Sequence, residues 1–228
     1  MKLYKYETHL HTFPVSACAK ATVFETLDFY KQKEYDGVFI TNHFLDGNIN
    51  ILPSVSYEEK IKFYFSDYEK ALEYGKKIGL KVFCGVELSY KGTDFLVYGI
   101  NKEWYLKNPQ IMDMERSEEL EFLMNNGALV IQAHPYREAV YIDHIRLFPR
   151  HVNGVEVVNA LGSKSQNNMA KIYAENYGLI KFAGSDNHWG SEAKRLAGMC
   201  SDVPILNEQD FINRIKNKEM EIFTLNND

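Results

Sequence analysis

Short apolar runs of strand type alternate with amphipathic helical stretches along the whole sequence, and this alternation limits the fold more than any other feature. Leu3–His11 predicts a first strand. Thr22-Val-Phe-Glu25 has the spacing of a capping box, with Phe24, Leu27 and Tyr30 following at helical intervals. Gly37–Thr41 is a compact run of buried-strand type. Ser56-Tyr-Glu-Glu59 is a second capping box, opening a long helix through Ile61, Phe65, Tyr68 and Leu72 that stops near Gly79. Lys81–Tyr90 and Asp94–Ile100 predict two strands joined as a hairpin through Lys91-Gly92-Thr93. A helix over Ser117–Asn125, strands over Ala128–Ala133 and Gly154–Asn159, a helix over roughly Ser165–Tyr177 and a strand over Leu179–Ser185 follow. Asn207 caps a last helix with Phe211, Ile212 and Ile215 on its inner face. Sustained βα alternation implies parallel strands under helices. About seven such units in one chain of 228 residues fit a closed or nearly closed α/β barrel better than two domains, with an open doubly wound sheet as the alternative. The sequence carries no linker, repeat or composition break, so residues 1–228 are expected to form a single domain.

Composition removes several classes of function. At 45% hydrophobic and 25% charged residues the chain is neither disordered nor of low complexity. Its 26 basic and 31 acidic residues give a net charge of −5, which argues against nucleic acid as a partner while leaving room for a local basic pocket around a small anion. Cys18, Cys84 and Cys200 are odd in number and widely spaced, so a reducing cytoplasm is expected. The N-terminus lacks a signal-like apolar stretch, and no run of about 18 apolar residues provides a membrane span.

Of the seven histidines, five fall where a predicted strand ends: His9 and His11, His43, His134 and His188. Glu87 and Asp186 occupy similar positions. In a βα barrel those ends converge on one face, where active sites are built. Residues i and i+2 of a strand point to the same side, so His9 and His11 can share one cation while Leu10 faces away, and Asp186 and His188 repeat the arrangement. Imidazole and carboxylate donors suit Zn, Mn or Fe. His144 and His151 have no such placement.

The order His-x-His-Thr, Thr-Asn-His, Gly-Val-Glu, Ala-His-Pro and Gly-Ser-Asp-x-His, running from His9 to His188, resembles the PHP (polymerase and histidinol phosphatase) domain family. The resemblance implies a distorted (β/α)7 TIM-like barrel with a two- or three-metal site and phosphoester hydrolysis similar to that of histidinol phosphatase. It assigns His9, His11, Glu87 and Asp186 to a first metal, Glu87 as a bridge to a second metal that His134 also binds, and His43 and His188 to a third. Three departures stand out. Asp94 replaces the usual His of the strand after Glu87 and is kept as an oxygen ligand; Asn42 stands where Asp is common; and the loop after His11 carries Ser16 and Cys18 where the family often has Asp or His. A thiolate there would favour Zn.

Two such metals can share a hydroxide, polarise a phosphoryl group and stabilise the leaving oxygen. Glu87, Asp186, His188 and Arg137 are the expected catalytic residues, with Arg137, Arg195 and Lys20 gripping the phosphate. Arg195 is expected in a loop over the site, and His188, if it carries no metal, can protonate the leaving alcohol. The expected substrate is a small phosphorylated metabolite, and the expected cofactors are two or three divalent ions (Zn, Mn or Fe). A phosphodiesterase or nuclease with the same metals, and a metal-holding domain without turnover, are the rival functions. Oligomeric state is not legible in the sequence.

Overall fold

Three helices start where a hydroxyl side chain can take up an unpaired backbone N–H. In the computed structural model, which describes residues 2–226, Thr22 caps α1 (Val23–Gln32), Ser56 caps α2 (Tyr57–Ile78) and Ser163 caps α5 (Lys164–Tyr177), each with a reciprocal Glu or Gln bond that completes a capping box. Gly79 and Gly178, at φ 69° and 65°, end α2 and α5 in the left-handed conformation that glycine adopts without strain. The remaining helices are α3 (Lys102–Lys107), α4 (Arg116–Asn125) and α6 (Glu208–Lys216). Asn207 accepts from the Asp210 N–H to cap α6.

The strands are β1 (Tyr4–Glu7), β2 (Gly37–Ile40), β3 (Lys81–Tyr90), β4 (Thr93–Tyr98), β5 (Leu129–Ala133), β6 (Gly154–Asn159), β7 (Ile180–Gly184), β8 (Arg195–Ser201) and β9 (Glu221–Asn226). They form one sheet in the order β7-β6-β5-β4-β3-β2-β1-β8-β9. Pairing is parallel from β1 to β3 and from β5 to β7; β4 runs antiparallel between the two halves, and β8 runs antiparallel to β1 and to β9. The sheet curls until β7 meets β8. There the Ser185 hydroxyl donates to the Ala197 carbonyl (3.0 Å) and accepts from its N–H (2.9 Å), while Leu10 bridges Asn187.

The result is a nearly closed α/β barrel rather than seven repeated βα units. The hairpin at Lys91-Gly92 reverses β4, and the unexpected strands β8 and β9 complete the wall. Gly198 explains why β8 is inconspicuous in the sequence. A Cβ there would collide with the Tyr6 carbonyl, so glycine interrupts the apolar run that marks a strand.

Aromatic and aliphatic side chains fill the barrel. Phe211 of α6 lies 4.3 Å from the Phe39 ring and 5.4 Å from that of Tyr98, and α6 also covers Gly99, just past the end of β4. Helix α6 therefore plugs the end of the barrel opposite to the one where β3, β5 and β7 finish. A second cluster packs α2 and α4 against β3–β5, and smaller ones lie under α1 and α5.

Candidate metal centre

At the open end, polar residues gather where parallel strands finish. His9 and His11 follow β1, His43 follows β2 and bridges Glu87 of β3, His134 follows β5, and Asp186 and His188 follow β7. Beyond the end of β1 at Glu7, Leu10 forms an isolated bridge with Asn187. His9 and His11 face the same point with ring centroids 5.2 Å apart, while Leu10 is buried in the cluster under α1. His134 (φ 25°) and Asp186 (φ 56°) adopt positive φ, and these turns aim their side chains inward.

The donors converge. His9 Nε2 lies 3.0 Å from Glu87 Oε1 and 3.4 Å from Asp186 Oδ1; His11 Nε2 lies 3.3 Å from Glu87 Oε2 and 3.4 Å from Asp186 Oδ1. His43 Nδ1 lies 2.7 Å from Glu87 Oε2, and His134 Nε2 lies 3.5 Å from Glu87 Oε1. Glu87 thus turns one oxygen to His9 and His134 and the other to His11 and His43, the geometry a bridging carboxylate needs. Among the described residues, three groups of ligand atoms fall within 4.8 Å of one another: His9, His11 and Asp186; His9, Glu87 and His134; His11, His43 and His188. Two donors each about 2.1 Å from one tetrahedral ion stand about 3.4 Å apart, close to the separations found here.

The donor set fits divalent metals on a direct criterion. His9 Nε2, His11 Nε2, His43 Nδ1, His134 Nε2 and both Glu87 oxygens are buried without a hydrogen-bond partner. Orphaned polar atoms cost free energy unless something pairs them, and divalent ions on the two sides of Glu87 would pair these.

The surrounding bonds set the tautomers. Glu156 Oε1 accepts from His9 Nδ1 at 2.9 Å, leaving the Nε2 lone pair aimed inward. Ser16 Oγ gives its only proton to Asn42 Oδ1 (2.8 Å), so it accepts from His11 Nδ1 (3.1 Å), and His11 likewise presents a bare Nε2. His188 Nδ1 donates to the Asp186 carbonyl at 2.9 Å, freeing its own Nε2. Buried Glu7 accepts from the N–H groups of Thr8, His9 and Ser185 and from the Tyr30 hydroxyl, locking the β1 and β7 exits together. Asn42 accepts from Thr12 N–H at 2.7 Å and donates to its hydroxyl, which donates in turn to Asp67. The charge expected at position 42 is therefore supplied from α2.

Electrostatics follow from this crowding. Burial disfavours a charged His9, yet Asp186, Glu156 and Glu87 raise its pKa well above the usual histidine value. His11 is held well below it by burial and by His188 and His43. Burial opposes ionisation of Glu87 and Asp186, but His43 and His9 hold Glu87, and Arg137 and His9 hold Asp186, well below the ordinary carboxylate range. Burial also works against a Cys18 thiolate; hydrogen bonds with the His188 and His43 side chains outweigh it and bring the thiol down to about 6.

Among the phosphate-binding candidates, Arg137 reaches the centre, where its Nη2 pairs with Asp186 Oδ2. Lys20 is exposed, and its backbone N–H donates to the His188 carbonyl at 2.7 Å. Arg195 begins β8 rather than lying in a loop, and its Nη2 donates to the Gly162 carbonyl at 3.2 Å. Asp94 Oδ2 lies 3.7 Å from His134 Nε2, beside the centre but outside the three groups. His144 and His151 pair with Asp143 and Glu121.

Glu156 is the residue that strand-end reasoning misses. Its signal is in the sequence, because Gly154-Val-Glu156 repeats Gly85-Val-Glu87, a carboxylate inside an apolar strand.

No protein-family model matches the chain, and no curated protein matches its sequence. Solved structures do match. A two-domain Bacteroides vulgatus protein containing a predicted PHP-like metal-dependent phosphoesterase superposes with a TM-score of 0.67 over 97% of the chain at 12% identity. The chain spans 65% of the length of that protein. PsfC from Pseudomonas syringae gives a TM-score of 0.60 at 17% identity, covering 99% of this chain and 92% of its own. A candidate metal-dependent phosphoesterase from Bifidobacterium adolescentis gives 0.54 at 12% identity, covering 82% and 88%. The fold is that of the PHP-like metal-dependent phosphoesterases.

Proposed function

We propose that the chain is a metal-dependent phosphoesterase that hydrolyses a small phosphomonoester, with two or three divalent ions (Zn, Mn or Fe) held by His9, His11, His43, Glu87, Asp94, His134, Asp186 and His188. The observation that carries this reading is the gathering of four buried imidazole nitrogens around the two oxygens of Glu87 at the open end of the barrel, all six atoms without a hydrogen-bond partner. Bound there, divalent ions would supply Lewis acidity toward a phosphoryl group and a source of hydroxide near neutral pH.

The chain's own residues do the rest. Glu87 offers one oxygen to each side of the centre, and Glu156 and Ser16 keep His9 and His11 in the tautomers that can ligate. Arg137 is half-buried beside His134, and its guanidinium can leave Asp186 to grip phosphoryl oxygens through paired N–H donors. A cavity of about 220 Å³ adjoins this arginine, lined by His134, Tyr136, Tyr141, Leu161 and Gln166. Its size favours a small metabolite over a polymer, as does the net charge of −5. Lys20 and Arg195 provide further positive charge at the rim. On this reading the barrel is a distorted relative of the (β/α)7 form with β4 and β8 reversed. The three free thiols fit a reducing cytoplasm.

The test is metal content by plasma mass spectrometry together with hydrolysis of p-nitrophenyl phosphate and its bis-ester, for wild type and Glu87→Ala. Two or more metals per chain and monoester turnover, both collapsing in the variant, are expected. A wild-type chain that binds no metal refutes the reading. Metal without phosphate release from a broad metabolite panel identifies a non-catalytic metal holder, and faster bis-ester cleavage identifies a phosphodiesterase.

A further inference from the structure

Asp67, midway along α2, is buried, and its carboxylate ends a chain of hydrogen bonds that starts at His11. His11 Nδ1 donates to Ser16 Oγ (3.1 Å), Ser16 Oγ to Asn42 Oδ1 (2.8 Å), Asn42 Nδ2 to Thr12 Oγ1 (2.9 Å), and Thr12 Oγ1 to Asp67 Oδ2 (2.9 Å). All five residues are buried. The direction of each proton is fixed. An ionised Asp67 only accepts, so the Thr12 hydroxyl spends its one proton there and turns a lone pair to Asn42. Thr12 N–H holds the Asn42 amide the same way round, donating to Oδ1 at 2.7 Å. Ser16 then donates to that oxygen, and its lone pairs take His11 Nδ1 and the His43 N–H (3.0 Å). His11 is left with its proton on Nδ1 and a bare Nε2. Lys70 Nζ, 3.5 Å from Asp67 Oδ1, favours the ionised carboxylate. Tyr64, one turn earlier on α2, donates to the Asn42 carbonyl at 2.8 Å, so the same helix also pins the backbone at position 42.

We propose that Asp67 is a positioning residue for His11, acting through Thr12, Asn42 and Ser16, and that its charge stands in for one at position 42. This role rests on the metal-centre reading above. A carboxylate on the outer nitrogen of a ligating imidazole fixes its orientation and raises its basicity. Glu156 bonds to His9 directly in this way. His11 meets a neutral serine instead, and the charge stands behind three intervening side chains. In a buried chain the bonds polarise one another. An ionised terminus therefore makes Ser16 a stronger acceptor, and His11 Nε2 a better donor to a cation, than serine alone would. The Thr12 hydroxyl lies between positions 42 and 67, so a single carboxylate on either side of it can end the chain.

The first measurement needs no variant. Nitrogen NMR shifts of the histidine rings in metal-free wild type are expected to show His11 protonated on Nδ1, and a proton on Nε2 overturns the proposal. Asp67→Asn keeps an acceptor oxygen for Thr12 and removes the charge. It is expected to weaken one zinc site about tenfold in competition with a chromophoric chelator. Ser16→Ala cuts the chain beside His11, and in that background Asp67→Asn is expected to cost no further affinity. An equal loss in both backgrounds means that the charge acts through space, and an unchanged affinity in Asp67→Asn means that it does not act. Either result overturns the proposal and leaves the metal centre standing. The exchange Asn42→Asp with Asp67→Asn returns one carboxylate to the other side of Thr12 and is expected to regain the affinity lost in Asp67→Asn alone; a double variant as weak as the single one overturns the equivalence of the two positions. A wild-type chain that binds no zinc overturns both this role and the metal-centre reading.

Discussion

Glu156→Gln tests the centre without touching a candidate ligand. Glu156 is fully buried and receives three donors: His9 Nδ1 at 2.9 Å on one oxygen, and His134 N–H at 3.0 Å and Asn159 Nδ2 at 2.8 Å on the other. Glutamine keeps one acceptor and places an NH₂ where the second oxygen stood. If the NH₂ faces His134 and Asn159, two donors meet a donor. Asn159 cannot escape by turning over, because its Oδ1 already accepts from the N–H groups of Leu161 and Gly162. If the NH₂ faces His9, the imidazole must move its proton to Nε2, and the lone pair aimed at the centre is lost. Either arrangement costs about 1–3 kcal/mol for an unsatisfied buried group. Loss of such a supporting partner lowers metal affinity about 10–100-fold, which is about 1.4–2.8 kcal/mol and agrees with the first figure. Competition of the protein with a chromophoric zinc chelator measures this affinity directly, and circular dichroism of the metal-free variant checks that it folds. A Glu156→Gln variant whose tightest zinc site is unchanged in affinity would refute the argument that Glu156 sets the His9 tautomer.

Two further outcomes follow from parts of the fold away from the centre. Phe211→Ala removes a fully buried ring that packs on Phe39, Tyr98 and Phe182, and should lower stability in urea titration by about 3–5 kcal/mol while leaving metal stoichiometry unchanged, since α6 plugs the opposite end. Arg116 carries one positive charge between the carboxylates of Asp46 (2.6 Å) and buried Glu119 (2.5 Å). Burial pushes Glu119 up to about 8, against the pull of Arg116 and aided by Asp46. Its folded pKa lies above the unfolded value of 4.5, so the stability it contributes is fully present below pH 4.5 and is lost as pH rises through about 8. Thermal melts across that window should decline for wild type and decline less for Glu119→Gln; equal slopes would show that Glu119 ionises normally.

Local chemistry was the legible part of this fold. The hydroxyl and amide caps at Thr22, Ser56 and Asn207 can be read because each bonds to a neighbour three residues away. The β3–β4 hairpin is legible from Gly92, and the ligand face from polar residues that end apolar strands. Contacts made only by long-range closure are not legible. Strands β8 and β9 exist because β1 offers an edge, and the small residues Ala197 and Gly198 that fit against it weaken the strand signal. The pairing of Arg137 with Asp186 and the service of Glu156 to His9 join residues 49 and 147 positions apart. No spacing rule reaches that far.

The positive φ angles of His134 and Asp186 carry a consequence for how such a chain changes over time. A side chain held in that region costs about 1–3 kcal/mol, which glycine would not incur. At these two positions, therefore, a substitution toward glycine relieves the backbone and removes a candidate metal donor in the same step. Selection for a sturdier chain and selection for a working centre pull in opposite directions there.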